Sequence, residues 1–315
     1  MNKRLFFIVN PMSGGGRCKE KWEQVLQVIK GDDLEFDYSY TECHGDAIRL
    51  ASEATRQNVY DVIVAVGGDG TVNEVINGMM GSGVDLLEMP AFTIFPAGTG
   101  SDTVRTLGID FDVSKFVDMI NQGEIRKCDV GLASFIYKEV SGSRYFLNAC
   151  DIGIGASVAT IVNSMNQSND KKSRKFKFFR TIIEQIFKFK SFSSIIMGDS
   201  DFTIETNTIT VSICNFQYFG GGIKISPNSQ IDDGKLDLIT TTNISKLGLL
   251  GQVSRVYKGT HINHHKIINR SAKEFIVDIP TPQLLETDGE VVGMVSNVKF
   301  TAIEKVLKII YQQQI

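Results

Sequence analysis

The 315-residue sequence has no apolar run long enough to cross a bilayer as a helix. It has no excess of basic charge either. The 33 Lys and Arg residues stand against 36 Asp and Glu, a net charge of −3, so a globally basic surface for nucleic acid is not expected. Cysteine is scarce and unpaired in its spacing: Cys18, Cys43, Cys128, Cys150 and Cys214 are an odd number without a Cys-x-x-Cys pair. That pattern points to reduced thiols in a cytosolic protein rather than to a disulfide framework. Internal repeats and low-complexity linkers are absent. The first nine residues faintly resemble a signal peptide, but Asn10-Pro11 ends the apolar stretch too soon, so a strand is expected there. What the chain does have is 42% hydrophobic and 22% charged residues, enough to bury real cores, over a length that favours about two domains.

Residues 1–127 alternate strand and helix patterns. Short apolar runs at Arg4 to Val9, Phe36 to Tyr40, Val62 to Val66 and Ala91 to Phe95 read as strands. Between them, Trp22, Val25, Leu26 and Ile29, then Ala47, Leu50, Ala51 and Ala54, then Val72, Val75, Ile76 and Met79 recur at helical spacing. This rhythm predicts a parallel sheet covered by helices. Residues 128–299 change to short strands with glycine and asparagine turns, at Tyr145 to Leu147, Phe202 to Glu205, Ile209 to Ile213, Leu236 to Ile239 and Phe275 to Ile279. Two helical stretches interrupt them, near 173–190 and 245–257. A second, mostly antiparallel β domain is expected.

Three glycine-rich loops follow three of the parallel strands: Ser13-Gly14-Gly15-Gly16 after Asn10-Pro11, Gly67-Gly68-Asp69-Gly70-Thr71, and Gly98-Thr99-Gly100-Ser101-Asp102. In an open parallel sheet, ligands bind beyond the carboxyl ends of the strands. Glycines let the backbone approach a polyanion, and a helix N-terminus adds favourable partial charge. None of the loops is a Walker loop or the spaced-glycine dinucleotide fingerprint. Asp69 beside phosphate is repulsive unless a divalent cation lies between, so it suggests Mg²⁺ held directly or through water. The alternative is a tight turn with Asp69 as a helix N-cap.

The Gly67 to Thr71 motif with Val72-Asn73-Glu74-Val75, the Asn10-Pro11-x-Ser13-Gly14 opening and the third loop resemble the soluble diacylglycerol kinase and sphingosine kinase family. The bacterial lipid kinases are its nearest branch. The resemblance continues through Gly220-Gly221-Gly222-Ile223-Lys224-Ile225-Ser226-Pro227, Asp232-Asp233-Gly234-Lys235-Leu236 and Thr287-Asp288-Gly289-Glu290, in the family's order, and so covers essentially the whole chain. One departure stands in the third loop, which ends Gly-Ser-Asp where the family usually has Gly-Asn-Asp.

The resemblance implies an α/β nucleotide-binding domain, like those of NAD kinase and phosphofructokinase, followed by a β-sandwich, with the active site in the cleft between them and residues 300–315 returning to the first domain. It implies ATP and Mg²⁺ as cofactors, with Asn10, Thr41, Gly67, Gly68, Asp69, Gly70, Thr71, Val72, Asn73, Gly98, Thr99 and Glu290 around the nucleotide. Asp288, with Asp69, would be catalytic, Asp288 as the base that takes the proton of a lipid hydroxyl; read from the residues alone, Asp-Gly is also an ordinary hairpin turn. A structural Mg²⁺ is implied at Asp233, the backbone of Lys235 and Gln230, with Asp232 either beside it or facing the nucleotide metal. Asp-Gly in that loop is again open to the hairpin reading.

The expected activity is transfer of the γ-phosphate of ATP to diacylglycerol or a related lipid alcohol. An NAD kinase and a catalytically silent lipid-binding protein are the alternatives. A homodimer stays open. The stretch Lys171 to Lys190 mixes eight Lys and Arg residues with five phenylalanines, which suits a helix lying on anionic lipid and peripheral membrane association. The same residues, with Phe179, Ile182, Ile183, Ile186 and Phe187 as a stripe, would also make a helix covering the β domain. His261, His264 and His265 lack zinc-site spacing and read as a polar loop or a solvated helix end.

Overall fold

The computed structural model describes residues 3–31, 34–98, 102–109, 113–137, 139–164, 171–199 and 202–311, of which 114 and 171–176 as backbone only. Two compact units divide the chain: Met1–Cys128 together with Lys305–Ile315, and Asp129–Glu304.

The first unit runs β1 (Arg4–Val9), α1 (Arg17–Ile29), β2 (Glu35–Tyr40), α2 (Asp46–Gln57), β3 (Val62–Gly67), α3 (Asp69–Met80), β4 (Ala91–Pro96), α4 (Asp102–Leu107) and α5 (Val113–Gln122). Its sheet is parallel, in the order β2-β1-β3-β4. β3 and β4 are buried along their whole length, and apart from Thr93 their sequence is apolar, as expected where helices cover both faces of a parallel sheet. The returning segment joins the same sheet. Ile309 pairs parallel with Phe92, the Thr93 hydroxyl donates to Ile310 O at 2.8 Å, and Lys308 Nζ reaches Leu87 O and Met89 O.

The helical stripes read from the sequence are the buried faces. Trp22, Val25 and Ile29 of α1 and Val72, Val75, Ile76 and Met79 of α3 are core residues; each such burial contributes about 1.5–3 kcal/mol. On α2 the stripe is narrower, Ala47, Ala51 and Ala54, with Leu50 only half-buried. The small residues serve close packing on α3, where a Cβ at Gly78 would collide with Ile48 O and meet Ala51 Cβ at 2.8 Å.

The second unit is entered along β5 (Glu124–Tyr137). It continues with β6 (Val140–Phe146), β7 (Ala149–Gly153), α6 (Ile154–Ser164), α7 (Lys171–Lys188), β8 (Phe192–Gly198), β9 (Phe202–Thr208), β10 (Thr210–Cys214), β11 (Leu236–Thr241), α8 (Lys246–Lys258), β12 (Ile267–Ala272), β13 (Glu274–Thr287) and β14 (Glu290–Tyr311). Antiparallel pairing gives the order β12-β11-β10-β7-β13-β14, with β8 also on β13 and β9 on β8. Phe146, Ile152, Val211, Ile213, Leu238, Phe275, Leu285 and Phe300 are part of its core. α8 is bounded at both ends as its sequence dictates. The Ser245 hydroxyl accepts from Gly248 N, and Gly259 at φ 71° closes the last turn.

Two expected strands are each corrected by one residue, Ile209 lying just before β10. Leu147 lies outside β6, in a two-residue break before β7. Its N–H is turned toward a side chain rather than a neighbouring strand, as described below.

Candidate active site

In the first unit the three glycine-rich loops lie beyond β1, β3 and β4 and are stitched to one another. Asn10 N donates to Val66 O, the Asn10 amide donates to Thr71 Oγ1 at 3.0 Å, and Gly68 N donates to Ser13 Oγ at 3.2 Å. Ala97 N and Gly98 N both donate to Gly67 O at 2.9 Å. The third loop meets the second backbone to backbone, since a Cβ at Gly98 would run into the Gly68 Cα. Thr41, half-buried just beyond β2, is anchored by its N–H to Val9 O. Thr99, with Gly100 and Ser101, lies outside the described residues.

Asp69 opens α3, but Gly68 is the N-cap residue and no side chain caps that helix. The Asp69 carboxylate serves the next helix instead. It accepts from Asp102 N at 3.1 Å, Thr103 N at 3.3 Å and the Thr103 hydroxyl at 3.2 Å. Burial raises its pKa, against the opposing pull of those N–H and O–H groups and of the Arg105 charge. Arg105 is itself paired with Asp102 at 2.6 Å.

Thr71, Val72 and Asn73 are buried under the loop. Val72 N donates to Gly68 O, and Asn77 donates to the Asn73 carbonyl and side-chain oxygens. Glu74, to which the sequence reading gave no role, holds the segment after Thr41. Its carboxylate accepts from Gly45 N and Ala47 N and pairs with His44 at 2.9 Å.

In the second unit Asp288 and Gly289 are the two central residues of the hairpin joining β13 to β14, at φ 49° and 90°. Positive φ at both positions is what a two-residue primed turn requires, and Asp-Gly is a favoured pair for it. The hairpin reading therefore holds, and the turn does more. Asp288 Oδ1 accepts from Asn148 N at 2.8 Å and Ala149 N at 3.1 Å, Oδ2 accepts from Leu147 N at 2.9 Å, and Asp288 N donates to Ala149 O. Charge-assisted bonds from three N–H groups fix the carboxylate's direction. Glu290 follows directly, half-buried at the start of β14.

The acidic turn from 230 to 235 is exposed at Gln230, Asp232, Asp233 and Lys235. Asp233 Oδ1 accepts from Lys235 N at 3.1 Å. Partial desolvation of its carboxylate, with the neighbouring Asp237 charge, raises the Asp233 pKa. Its donors are all oxygens, and Mg²⁺ is commonly held by one or two carboxylates plus water. The residues thus fit a hard cation.

Asp129, fully buried and unremarked in the sequence reading, fixes this turn by accepting from Gly234 N at 2.6 Å and donating its own N–H to Ile231 O. Asn215 then ties Asp129 to the Asp288 donors: its amide donates to Asp129 O and Leu147 O. These contacts join residues far apart in the chain. The only signal for them was a polar residue inside an apolar run.

Two further expectations meet the coordinates. His261 is buried, not solvated, with Nε2 at 3.0 Å from Ile225 O; the 3-10 turn His261–Asn263 carries it inward. Among the described residues no set of three His, Cys, Asp or Glu side chains converges to hold a metal. On α7, Phe179 and Phe187 are 45% and 49% exposed while Thr181 and Ile186 are buried, so those two phenylalanines are not a core stripe. The side chains of Lys171, Lys172, Arg174, Lys175 and Phe176 lie outside the described residues. All five cysteines are free thiols. Among the described residues no helix is long and apolar enough to cross a membrane.

Residues 4–133 match the family described as diacylglycerol kinase catalytic domain, and residues 148–311 match that described as YegS C-terminal NAD kinase beta sandwich-like domain. A diacylglycerol kinase of Bacillus subtilis (strain 168) is 30% identical over 294 residues, covering 93% of this chain and 91% of that one. A diacylglycerol kinase of Staphylococcus saprophyticus is 29% identical over 93% of this chain and 90% of its own. A crystal structure from Bacillus anthracis strain Sterne, provisionally assigned as a diacylglycerol kinase, has a TM-score of 0.78 at 22% identity over 99% of both chains. Yeast NADH kinase shares the fold more distantly, at a TM-score of 0.55 and 12% identity over 98% of this chain and 82% of its own. The expected two-domain architecture is therefore the observed one. With the ordered motifs of both units and near full-length relatives in agreement, the chain belongs to the diacylglycerol kinase family of lipid kinases.

Proposed function

We propose that this protein transfers the γ-phosphate of ATP to the hydroxyl of diacylglycerol or a related lipid alcohol, with Asp288 as proton acceptor. The observation that carries the reading is the Asp288 carboxylate, buried and aimed by three backbone N–H groups. Phosphoryl transfer asks the protein for alignment and charge neutralisation more than for covalent chemistry. The lipid oxygen forms its bond to the γ-phosphorus, its proton passes to Asp288, and the bond from that phosphorus to the departing ADP oxygen breaks.

On the first unit, the N–H groups at the start of α3, which a helix leaves without intrahelical partners, suit nucleotide phosphates. Gly67, Gly68, Gly70 and Gly98 would approach the phosphates with backbone. Asn10 and Thr71, hydrogen-bonded to each other, would set the loop, while Val72 and Asn73 would support it from below. Thr41, Thr99 and Glu290 complete the proposed nucleotide set. A divalent cation would supply charge neutralisation on the phosphates. The Asp69 oxygens already accept from α4, which favours contact through water. Gln230, Asp233 and the Lys235 carbonyl would hold a structural Mg²⁺, with Asp232 beside it or toward the nucleotide.

The exposed Phe179 and Phe187, among Lys177, Arg180, Lys188 and Lys190, support peripheral contact with an anionic membrane.

The test is transfer of labelled γ-phosphate from ATP, with Mg²⁺, to diacylglycerol in mixed micelles. Other lipid alcohols and NAD run as parallel acceptors and Asp288→Asn as the blank. Label in phosphatidic acid that the blank lacks is the expected result. Label in NADP, or in no acceptor, would overturn the reading.

A further inference from the structure

Glu286 lies two residues before Asp288 on β13, fully buried. Its Oε2 accepts the Gly289 N–H at 2.6 Å, while its Oε1 has no hydrogen-bond partner. From the other side, the Asn163 amide of α6 donates to Gly289 O at 2.9 Å. Both polar atoms of the Gly289 backbone are thus held by side chains, next to the residue proposed as proton acceptor.

Asp151 is opposite Glu286 in the β13–β7 register and is itself buried. Its carboxylate accepts from Ala156 N at 3.2 Å at the start of α6, and from the hydroxyls of Thr210 and Ser212. Gly155 makes this possible, since a Cβ there would meet the Asp151 carboxylate carbon at 2.6 Å. Asp151 therefore sets the beginning of the helix whose far end supplies Asn163.

We propose that Glu286 is a positioning residue for phosphoryl transfer: it pins Gly289 and so holds the Asp288 turn in the register its three N–H donors require. The kinetic half of this inference rests on Asp288 being the proton acceptor. Burial, with Asp151 and Asp288 adjacent, pushes the Glu286 carboxyl well above the usual range and favours its neutral acid. The position needs an acceptor for one N–H, not a second negative charge beside Asp288. An uncharged side chain with a carbonyl oxygen is what the site requires.

The experiment compares full-length wild type with Glu286→Gln, Glu286→Leu and Asn163→Ala. It measures kcat and the KM for ATP in the micelle assay, thermal unfolding, and amide hydrogen exchange of a peptide spanning 284–292. Glu286→Leu should lower kcat on the order of 10- to 100-fold with the KM for ATP unchanged, as expected when a reacting group is misplaced, and should speed exchange in that peptide. Glu286→Gln should restore most of both, since the amide oxygen replaces the acceptor.

Wild-type kcat and exchange in folded Glu286→Leu would overturn the inference. Glu286→Gln as impaired as Glu286→Leu would overturn it too. Should Glu286→Leu fail to fold, Asn163→Ala decides: its side chain is exposed, and unchanged kcat and exchange would count against the pin. If wild type phosphorylates no lipid, the functional reading fails by itself. The exchange of Glu286→Leu against Glu286→Gln then still supports or overturns the pinning.

Discussion

Asp69 Oδ1 accepts both the backbone N–H and the hydroxyl of Thr103, at 3.3 and 3.2 Å, while Oδ2 takes the Asp102 N–H. One carboxylate thus joins the loop after β3 to the helix after the third loop. Asp69→Ala should therefore do two things. It should lower stability by about 1–3 kcal/mol, because buried N–H donors lose their acceptor, and it should weaken Mg²⁺-dependent nucleotide use. Thr103→Val removes only the hydroxyl and should lower stability by about 1 kcal/mol. Calorimetry and the kinase assay read both. Full activity in folded Asp69→Ala would remove Asp69 from the proposed cation network.

Asp288→Asn is the sharper test of chemistry. Asparagine tolerates positive φ, so the turn survives. Its single side-chain oxygen can keep the Asn148 and Ala149 N–H groups, but the amide then faces Leu147 N donor to donor. Turnover should fall at least about 100-fold, the scale of a lost general base, and stability by about 1–3 kcal/mol. Equal turnover in the two proteins, measured with saturating ATP, would take Asp288 out of the mechanism.

The distance between those partners shows what a sequence exposes and what it hides. The Gly67 to Thr71 loop was legible because an all-apolar strand runs into glycines that no core packing explains. The Asp288-Gly289 turn was legible as a hairpin because the pair suits positive φ. Periodicity assigns a residue to a face, but it names no partner on another strand. Leu147 therefore reads as the end of a strand, although its N–H belongs to Asp288. Glu74, Asp129 and Asn215 are hidden for the same reason, since each makes its contacts with backbone distant in the chain, and Glu286 is hidden because a strand pattern does not show that its side chain turns back onto Gly289 N. On α7 the mixture of phenylalanine and lysine fitted a buried stripe and a lipid-facing surface equally well. The helix buries Ile186 and Thr181 and exposes Phe179 and Phe187, a division that the composition alone does not show.

Gly98→Ala isolates the contact between the second and third loops. Its Cβ would run into Gly68 backbone atoms, which cannot rotate away as a side chain can. The loops must separate, so the KM for ATP should rise at least about 10-fold, with a loss of roughly 1–3 kcal/mol typical of overpacking. Gly251→Ala, inside α8, is the comparison, because nothing lies within 4 Å of a Cβ there and its φ is ordinary. An ATP KM in Gly98→Ala equal to that of Gly251→Ala would show that the close approach is not what shapes the site.

Stability should also carry a signature of His261. Burial pushes its imidazole down from the ordinary value, which outweighs the favourable bond to Ile225 O. In the unfolded chain it titrates near about 6.5. Above that pH the ring is neutral in both states and contributes no slope. As pH falls through that value the unfolded chain takes up the proton first, and the folded protein does not until its own lower pKa is reached. Within that window the unfolded state binds more protons, so stability falls with falling pH. Buried Glu286 and Asp151 have raised values and push the other way at acid pH, since there the folded state holds the extra protons. The measurement is therefore a difference: melting temperatures of wild type and His261→Gln at matched pH from 7.5 to 5.5. The wild type should lose more on acidification than the variant, and the gap should shrink toward neutral pH. Parallel curves would mean that His261 takes up its proton in the folded protein as readily as in the unfolded chain.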